Sequence, residues 1–248
     1  MKKRIDLLLT EAGLVPSRAR AQALILSGNV LVNDQPVTKA GQLVDVSAAI
    51  RIRGQDHPFV SRGGLKLAAA MDAFNVSAAG KIGLDVGAST GGFTQVLLLR
   101  GAQKIFAVDV GHNQLDWKIR QDPRVITFEK VNARYMPYDL IGCQVDIIVV
   151  DVSFISLEKI LPALIQFTTP GTDLITLIKP QFEVGKEKVG PGGLVRSEDD
   201  RQEAVRRITS FGETLGLQRL GLIESPITGT EGNKEFLAHW KRRANPNF

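Results

Sequence analysis

Four ionisable residues of this chain stand where proton chemistry could be done: Lys66, Asp151, Lys179 and Glu235. Asp151 follows the apolar run Ile147-Ile-Val-Val150, and Lys179 follows a second run over 174–178. Such runs read as strands buried on both faces. Ligands of open parallel sheets lie outside the carboxyl ends of their strands, so both side chains should point into one cleft. Lys66 lies on a leading helix, and Glu235 stands at the last strand. Two amines and two carboxylates facing one cleft suit the activation of a weakly acidic hydroxyl. A lysine whose pKa is depressed by burial accepts its proton, and a charged amine stabilises the alkoxide that develops. Lys66 and Lys179 close together would depress each other, with Asp151 and Glu235 fixing which amine stays charged. Taken singly, each lysine reads as readily as a surface residue, and Asp151 as a cap or turn residue.

A glycine loop supplies a second kind of chemistry. In Ile82-Gly-Leu-Asp-Val-Gly-Ala-Ser-Thr-Gly-Gly-Phe93 the glycines at 87, 91 and 92 let the backbone turn sharply and come close to a ligand. The helix after the loop offers free amides. With Asp85, Ala88, Ser89, Thr90 and Phe93 this makes a crevice for a nucleotide-like ligand. The dinucleotide fingerprint G-x-G-x-x-G is not met, because Ser89 stands where the second glycine belongs. The form Asp-Val-Gly-Ala-Ser-Thr-Gly-Gly-Phe resembles the first motif of methyltransferases, which implies S-adenosylmethionine as cofactor. Asp109, ending the next strand, sits where an acid takes both ribose hydroxyls, a placement shared with nicotinamide-binding folds. Asn132, after the third strand, is a partner for the adenine or the carboxylate end of the cofactor. The plain alternatives are an Asp85 that only satisfies loop amides and an Asp109 that is an ordinary strand-end acid. Methyl transfer from a sulfonium releases a neutral thioether, so the demand falls on the nucleophile, where the four ionisable residues would act.

The elements that must position these residues alternate from residue 81 onward. Strands are expected at 82–86, 104–110, 125–128, 145–151, 173–178, 218–224 and 235–240. Helices are expected at 94–100, 157–167 and 198–215, the last capped by Ser197, and a leading helix capped by Ser61 should run through Lys66 to about Asn75. Strands separated by helices give a doubly wound parallel sheet. The loop 225–234 is too short for a parallel crossover, so the last two strands should pair antiparallel. The expected fold class is therefore α/β, a class I Rossmann-like methyltransferase arrangement with a seven-stranded, mostly parallel sheet. Residues 183–197, rich in glycine and charge, read either as a lid beside the cleft or as a surface loop.

The first quarter of the chain has a different character. Ten basic and five acidic residues lie up to Lys66, and 21 of each sign come after it, so the whole net charge of +5 sits at the front. A polyanion would be attracted there. Helices at 4–11 and 17–26, the second ending at Gly28, and strands at 29–32 and 44–52 around a turn at Asn33-Asp34 form one small α+β unit. The expected boundaries are a domain at 1–57, a linker at 58–61 and a second domain at 62–248. The stretch Pro16-Ser-Arg-Ala-Arg-Ala-Gln-Ala-Leu-Ile-Leu-Ser-Gly-Asn-Val-Leu-Val-Asn33 resembles the RNA-binding module of the fourth ribosomal small-subunit protein. That resemblance implies that Ser17, Arg18, Arg20 and Gln22 present donors to structured RNA, with Arg4, Lys39 and Arg62 as flanking contacts. Arginine forks suit phosphate oxygens, and folded RNA is read largely through shape and backbone.

Composition narrows the classes further. A single cysteine, Cys143, leaves no disulfide framework and no cysteine-based zinc site, and no metal centre is expected. The apolar run after Lys2-Lys-Arg4 is broken by Asp6 and Glu11, and no stretch reaches spanning length, so a cytoplasmic protein without membrane contact is expected. Over nearly its whole length the chain resembles the TlyA-type family, long called hemolysins and related to FtsJ-like ribose methyltransferases. The resemblance rests on Ser61-Arg-Gly-Gly-Leu-Lys-Leu67, the glycine loop, Asp151-Val-Ser-Phe-Ile-Ser-Leu157, Leu177-Ile-Lys-Pro-Gln-Phe-Glu183 and Gly232-Asn-Lys-Glu-Phe-Leu237. It implies a Lys-Asp-Lys-Glu tetrad at Lys66, Asp151, Lys179 and Glu235, with Glu231 as competitor for the last place. It also implies 2′-O-methylation of cytidine in ribosomal RNA, with ribosomal RNA or a ribosomal subunit as partner. The rivals are a non-catalytic RNA-binding protein, a membrane-active hemolysin and a nicotinamide-dependent oxidoreductase.

Overall fold

The computed structural model describes residues 2–15, 17–53, 57–229 and 232–244; Pro16, Asp56 and Glu231 lie outside the described residues. The chain forms two compact units, one up to Pro58 and one from Phe59.

In the first unit, β1 (Lys2–Arg4) leads into α1 (Ile5–Glu11), and then come α2 (Arg18–Leu26), β2 (Val30–Val32), β3 (Gln35–Val37), β4 (Leu43–Asp45) and β5 (Ile50–Ile52). β2 is central to an antiparallel sheet with β3 and β5, and β1 pairs antiparallel with β4. Asn33 and Asp34 both take positive φ (49° and 62°), as a two-residue hairpin turn between β2 and β3 requires. The expected strand over 44–52 is two strands, because Ser47 folds back on Asp45 through its amide and hydroxyl and breaks the extended run. Ile5 and Leu9 of α1 and Ala21 and Ile25 of α2 are fully buried, at the helical spacing of four that puts each pair on one face.

The second unit carries α3 (Gly63–Phe74), β6 (Ile82–Val86), α4 (Gly92–Leu99), β7 (Lys104–Val108), α5 (Trp117–Arg120), β8 (Val125–Phe128), α6 (Tyr138–Ile141), β9 (Ile147–Val150), α7 (Leu161–Leu164), β10 (Asp173–Ile178), α8 (Pro180–Glu183), α9 (Glu198–Thr214), β11 (Leu217–Glu224) and β12 (Phe236–Arg242). The sheet order is β11-β12-β10-β9-β6-β7-β8. β12 runs antiparallel between β10 and β11, and the pairings from β10 through β8 are parallel. The fold is thus the seven-stranded, mostly parallel sheet with one antiparallel strand. Along β9 the period of two sends Ile148 and Val150 into the core on one face and Ile147 and Val149 into the core on the other. All four are 0% exposed, which is why this strand reads as an unbroken apolar run. Strand order reverses around β6, so the ligand crevice of the sheet opens between the carboxyl ends of β6 and β9.

Several local expectations are corrected. Ser61 does not cap α3: its carbonyl accepts the Gly64 amide at 3.1 Å, and the tight turn so formed moves the helix start to Gly63. α4 begins at Gly92 instead of residue 94, since Gly91 at φ 94° serves as the N-cap. The helix expected at 157–167 is broken, because Pro162 lacks an N–H and cannot sit in a continuous helix, so α7 starts afresh around it between two 3₁₀ turns. Ser197 does cap α9, accepting the Asp200 amide at 3.3 Å. Among the described residues no helix is long and apolar enough to cross a membrane, and no group of side chains is arranged to hold a metal ion.

Candidate active site

The glycine loop joins β6 to α4. Gly87 has φ 85°, and a Cβ built on it would lie 2.3 Å from the Asp151 carbonyl oxygen. Only glycine lets the loop pass so close to the end of β9. The Gly87 and Ala88 amides donate to the Val108 carbonyl at 2.9 and 3.2 Å, and the Asp151 amide donates to the Val86 carbonyl at 3.0 Å. Three strand ends are thereby locked together at the crevice. Ala88 and Phe93 are buried, Gly92 is buried at the first turn of α4, and Ser89 and Thr90 are exposed at the tip.

Asp85 lies beneath this loop with no exposed surface. Its Oδ2 accepts the Thr94 hydroxyl at 2.6 Å, and its Oδ1 has no hydrogen-bond partner among the described residues. Burial pushes its carboxyl up to about 7, against the Thr94 bond that pulls it down and helped by the nearby Asp151 and Asp109 charges. Asp109, just beyond β7, accepts the Ser89 amide on Oδ2 (2.8 Å) and the Gly111 amide on Oδ1 (2.6 Å). Each oxygen keeps a second acceptor site. Asn132 caps the turn at Ala133–Tyr135, accepting the Arg134 amide at 3.1 Å.

Two adjoining cavities open here. The larger, about 510 Å³, is lined by Asp109, Asn132, Val152, Phe154 and Ile155 among others, a size suited to a nucleoside-sized ligand. The smaller, about 300 Å³, is lined by Lys66, Asp151, Lys179, Glu235, Arg62 and Thr228. Gly87, Ser89 and Asp151 line both. The structure therefore brings the four ionisable residues to one cavity and Asp109 and Asn132 to its neighbour, with Asp85 buried outside the lining of both.

Within the smaller cavity the four residues form two ion pairs. Lys179 Nζ lies 2.7 Å from Asp151 Oδ1 and donates to Ser153 Oγ at 2.8 Å. Lys66 Nζ donates to Glu235 Oε2. Lys66 and Lys179 are each 8% exposed and Glu235 2%, so these charges are balanced by contact more than by solvent. Lys66 reaches the site because α3 packs on α4 and β12, and Glu235 because its carbonyl accepts the Ser225 amide (2.8 Å), fixing the turn into β12.

Three contributors escape sequence reasoning. Ser153 holds Lys179, and its one signal is its place two residues after Asp151. Glu183 is buried and accepts the Ser156 hydroxyl (2.6 Å) and the Leu157 amide (2.9 Å), tying the loop after Asp151 to α8 beside Lys179; burial raises its carboxyl above the usual range. Phe154 has φ 63° and is 89% exposed at the rim of the larger cavity, with Phe182 at a ring distance of 5.2 Å. Nothing in its neighbours on the chain signals that exposure. Residues 183–197 are clasped: Asn233, itself buried, accepts the Val195 amide (2.9 Å) and donates to the Gly193 carbonyl (2.8 Å).

The other predicted residues divide between the units. Arg62 lines the smaller cavity and donates to the Thr228 carbonyl at 2.8 Å. In the first unit Ser17 caps α2 through the Arg20 amide (3.2 Å), Arg20 and Lys39 are exposed, and Arg4, Arg18 and Gln22 all donate to one carboxylate, Asp6.

Comparison with known proteins matches residues 59–242 to the family of FtsJ-like methyltransferases and residues 3–50 to the S4 domain. YqxC of Bacillus subtilis is 45% identical over 96% of this chain and 85% of its own length. The 16S/23S rRNA (cytidine-2′-O)-methyltransferase TlyA of Mycobacterium tuberculosis is 43% identical over 97% of this chain and 90% of its own. A solved structure of a hemolysin-named protein from Streptococcus thermophilus superposes with a TM-score of 0.77 at 42% identity, covering 99% of this chain and 90% of that one.

Proposed function

The chain belongs to the FtsJ-like methyltransferase family and carries an S4 domain ahead of it, and from that premise we propose that it methylates the 2′-hydroxyl of cytidine in ribosomal RNA. The observation that carries this reading is the pairing of two lysines with two carboxylates in a cavity that shares Gly87, Ser89 and Asp151 with a nucleoside-sized cavity.

S-adenosylmethionine is the cofactor, and the residues present fit it. The buried, half-unpartnered Asp85 and the loop whose Gly87 has no room for a Cβ make a cradle with a waiting acceptor beneath it. Asp85, the loop from Gly87 through Ala88, Ser89, Thr90, Gly91 and Gly92 to Phe93, Asp109 and Asn132 would hold it, Asp109 through the free acceptor sites of its oxygens. When bound, it supplies an electrophilic methyl group on a sulfonium.

The chain's own residues answer the demand of the nucleophile. A ribose hydroxyl in the smaller cavity loses its proton to Lys179 Nζ as it attacks, after that amine, paired with Asp151 at rest, has released its own proton to solvent. Asp151 and Ser153 aim that amine, and Asp151 balances the ammonium that forms. Lys66, held by Glu235, remains charged and stabilises the developing alkoxide. Holding oxygen, methyl and sulfur in line contributes the larger part of the rate. Phe154 offers an aromatic face beside the cavity on which an unstacked base can rest. We further propose a cytoplasmic protein, consistent with an RNA substrate.

The test is transfer of labelled methyl from S-adenosylmethionine to unmodified ribosomal RNA, with mass-spectrometric mapping of the ribose. Label found on a base, or none on RNA, overturns the reading. Calorimetry with S-adenosylmethionine and NAD side by side tests the cofactor; tight binding of NAD alone would sink it.

A further inference from the structure

A carboxylate without exposed surface lies beneath the cationic donors of the first unit. Asp6, at the start of α1, is 0% exposed and accepts four hydrogen bonds. They come from Arg4 Nε and Nη2 (3.0 Å each), Arg18 Nε (2.8 Å) and Gln22 Nε2 (3.2 Å). The donors stand at the end of β1 and on the first turns of α2, so one acid gathers groups from two elements. The Arg4 bond foremost, with those of Arg18 and Gln22, outweighs burial and holds the Asp6 carboxyl below the usual range, so it is ionised wherever the protein functions.

The arginines are buried on one side only. The side chains of Arg4 and Arg18 remain 42% and 50% exposed. Among the described residues neither makes a further side-chain bond, which leaves Nη1 of Arg4 and both terminal nitrogens of Arg18 for another acceptor. The guanidinium of Arg4 also lies along bare backbone, since a Cβ on Gly41 would be 3.5 Å from its Nη1. A guanidinium fork is planar, so bonds along one edge fix the direction of the other.

We propose that Asp6 is a positioning residue for RNA capture, presenting the outer edges of Arg4 and Arg18 as one preset pair of phosphate-binding forks. A long arginine side chain loses rotamer freedom when it grips a phosphate, and Asp6 removes that loss before the RNA arrives. Gln22 completes the acid's shell without adding charge. The proposal rests on the reading of the substrate as RNA, and it assigns to the acid at the centre of this cluster a role that simple charge would oppose.

That opposition makes the test. Asp6→Asn raises the net charge by one, so if Arg4 and Arg18 acted by charge alone the variant would bind every RNA as tightly as before or more tightly. Positioning predicts the reverse for folded RNA. With full-length protein and deproteinised ribosomal RNA, Asp6→Asn should bind about tenfold more weakly, with a shallower salt dependence. KM for RNA should rise by a similar factor while kcat at saturating RNA stays unchanged, and binding to polyuridylate should hold or strengthen. Gly41→Leu, at an exposed position, crowds the Arg4 guanidinium while leaving Asp6 and the net charge as they are, and should weaken ribosomal RNA binding a few-fold. It decides the matter where Asp6→Asn loses its cooperative melting transition. Wild-type protein that fails to bind ribosomal RNA overturns the functional reading together with this proposal. Wild-type binding with both variants unchanged overturns the proposal alone.

Discussion

Asp151 and Lys179 stand just beyond the carboxyl ends of two neighbouring parallel strands and meet there at 2.7 Å. β9 and β10 fix the bases of the pair, and Glu183 and Ser153 secure its surroundings. Glu183 binds the loop after Asp151 to α8, and Ser153 fills a further donor direction of the amine. The cofactor loop reaches the same point through the Asp151 carbonyl, against which Gly87 is packed. The proposed nucleophile activation and cofactor binding would therefore share one residue's backbone and side chain.

Lys179→Ala should abolish methyl transfer, and Lys179→Arg should do nearly the same although it keeps the charge beside Asp151. An arginine stays protonated and cannot take the ribose proton. A loss of at least about 10²-fold in kcat is expected, the ordinary contribution of a general base. S-adenosylmethionine affinity, measured by calorimetry, should change little in both. Turnover by Lys179→Arg at the wild-type rate would assign the lysine a purely electrostatic part.

Glu183→Ala should loosen the loop that carries Asp151 and Ser153. Two bonds to a buried carboxylate are lost, and the stranded Leu157 amide costs on the order of 1–3 kcal/mol in stability. The expected kinetic signature is a fall in kcat together with a rise in KM for the cofactor, since Val152, Phe154 and Ile155 of the loosened loop line the larger cavity. Glu183→Gln keeps an acceptor for the Leu157 amide, its NH2 can donate to the Ser156 hydroxyl in place of the second bond, and it should recover most of the loss. Thermal melts alongside steady-state kinetics separate the two effects, and equal kcat in all three proteins would remove Glu183 from the support of the site.

Much of this arrangement is legible in the chain. The apolar runs before Asp151 and Lys179 announce strands buried on both faces, and the antiparallel last pair is dictated by a loop too short to cross over. The hidden part depends on contacts between distant segments. That β12 inserts between β10 and β11 is decided by packing on both sides, and nothing in a local window encodes it. Glu183 and Asn233 act on loops 26 and 38 residues away. The break around Pro162 is visible in the sequence, but the apolar periodicity masks it. From the sequence the four ionisable residues share one cleft without a fixed pairing, whereas the fold pairs Lys66 with Glu235 and Lys179 with Asp151.

Gly87→Ala tests the cradle. The backbone there is left-handed, and the added carbon would press on a backbone oxygen at 2.3 Å that no side-chain rotation can relieve. A cost of about 1–3 kcal/mol in stability is expected from the strained conformation alone. The added clash should displace the loop from the end of β9. Cofactor affinity should drop by more than tenfold, read by calorimetry, because the loop amides and Asp85 no longer face one ligand. Unchanged affinity would mean that the ligand does not lie along this loop.

Asp85 gives the chain a pH dependence whose sign can be worked out. In the unfolded chain this carboxyl titrates near the ordinary aspartate range, about 4, whereas burial in the folded state pushes it up to about 7. Between those values the folded protein holds a proton that the unfolded chain has released, so the stability this group contributes is complete below about pH 4 and is lost as pH rises to 7. The cofactor-free protein should therefore melt at progressively lower temperature across that window, beyond what its other groups cause. Asp85→Asn stays neutral, keeps a partner for Thr94, and should flatten the slope, with a gain on the order of a few kcal/mol at pH 8. The same substitution should weaken S-adenosylmethionine binding, since an ionised Asp85 attracts a cationic ligand and an amide does not. Binding to the wild type should release protons near pH 7, which calorimetry in buffers of different ionisation enthalpy detects directly. Identical pH slopes for wild type and Asp85→Asn, with no proton release on binding, would show that Asp85 is ionised throughout and that its unpartnered oxygen is satisfied by water.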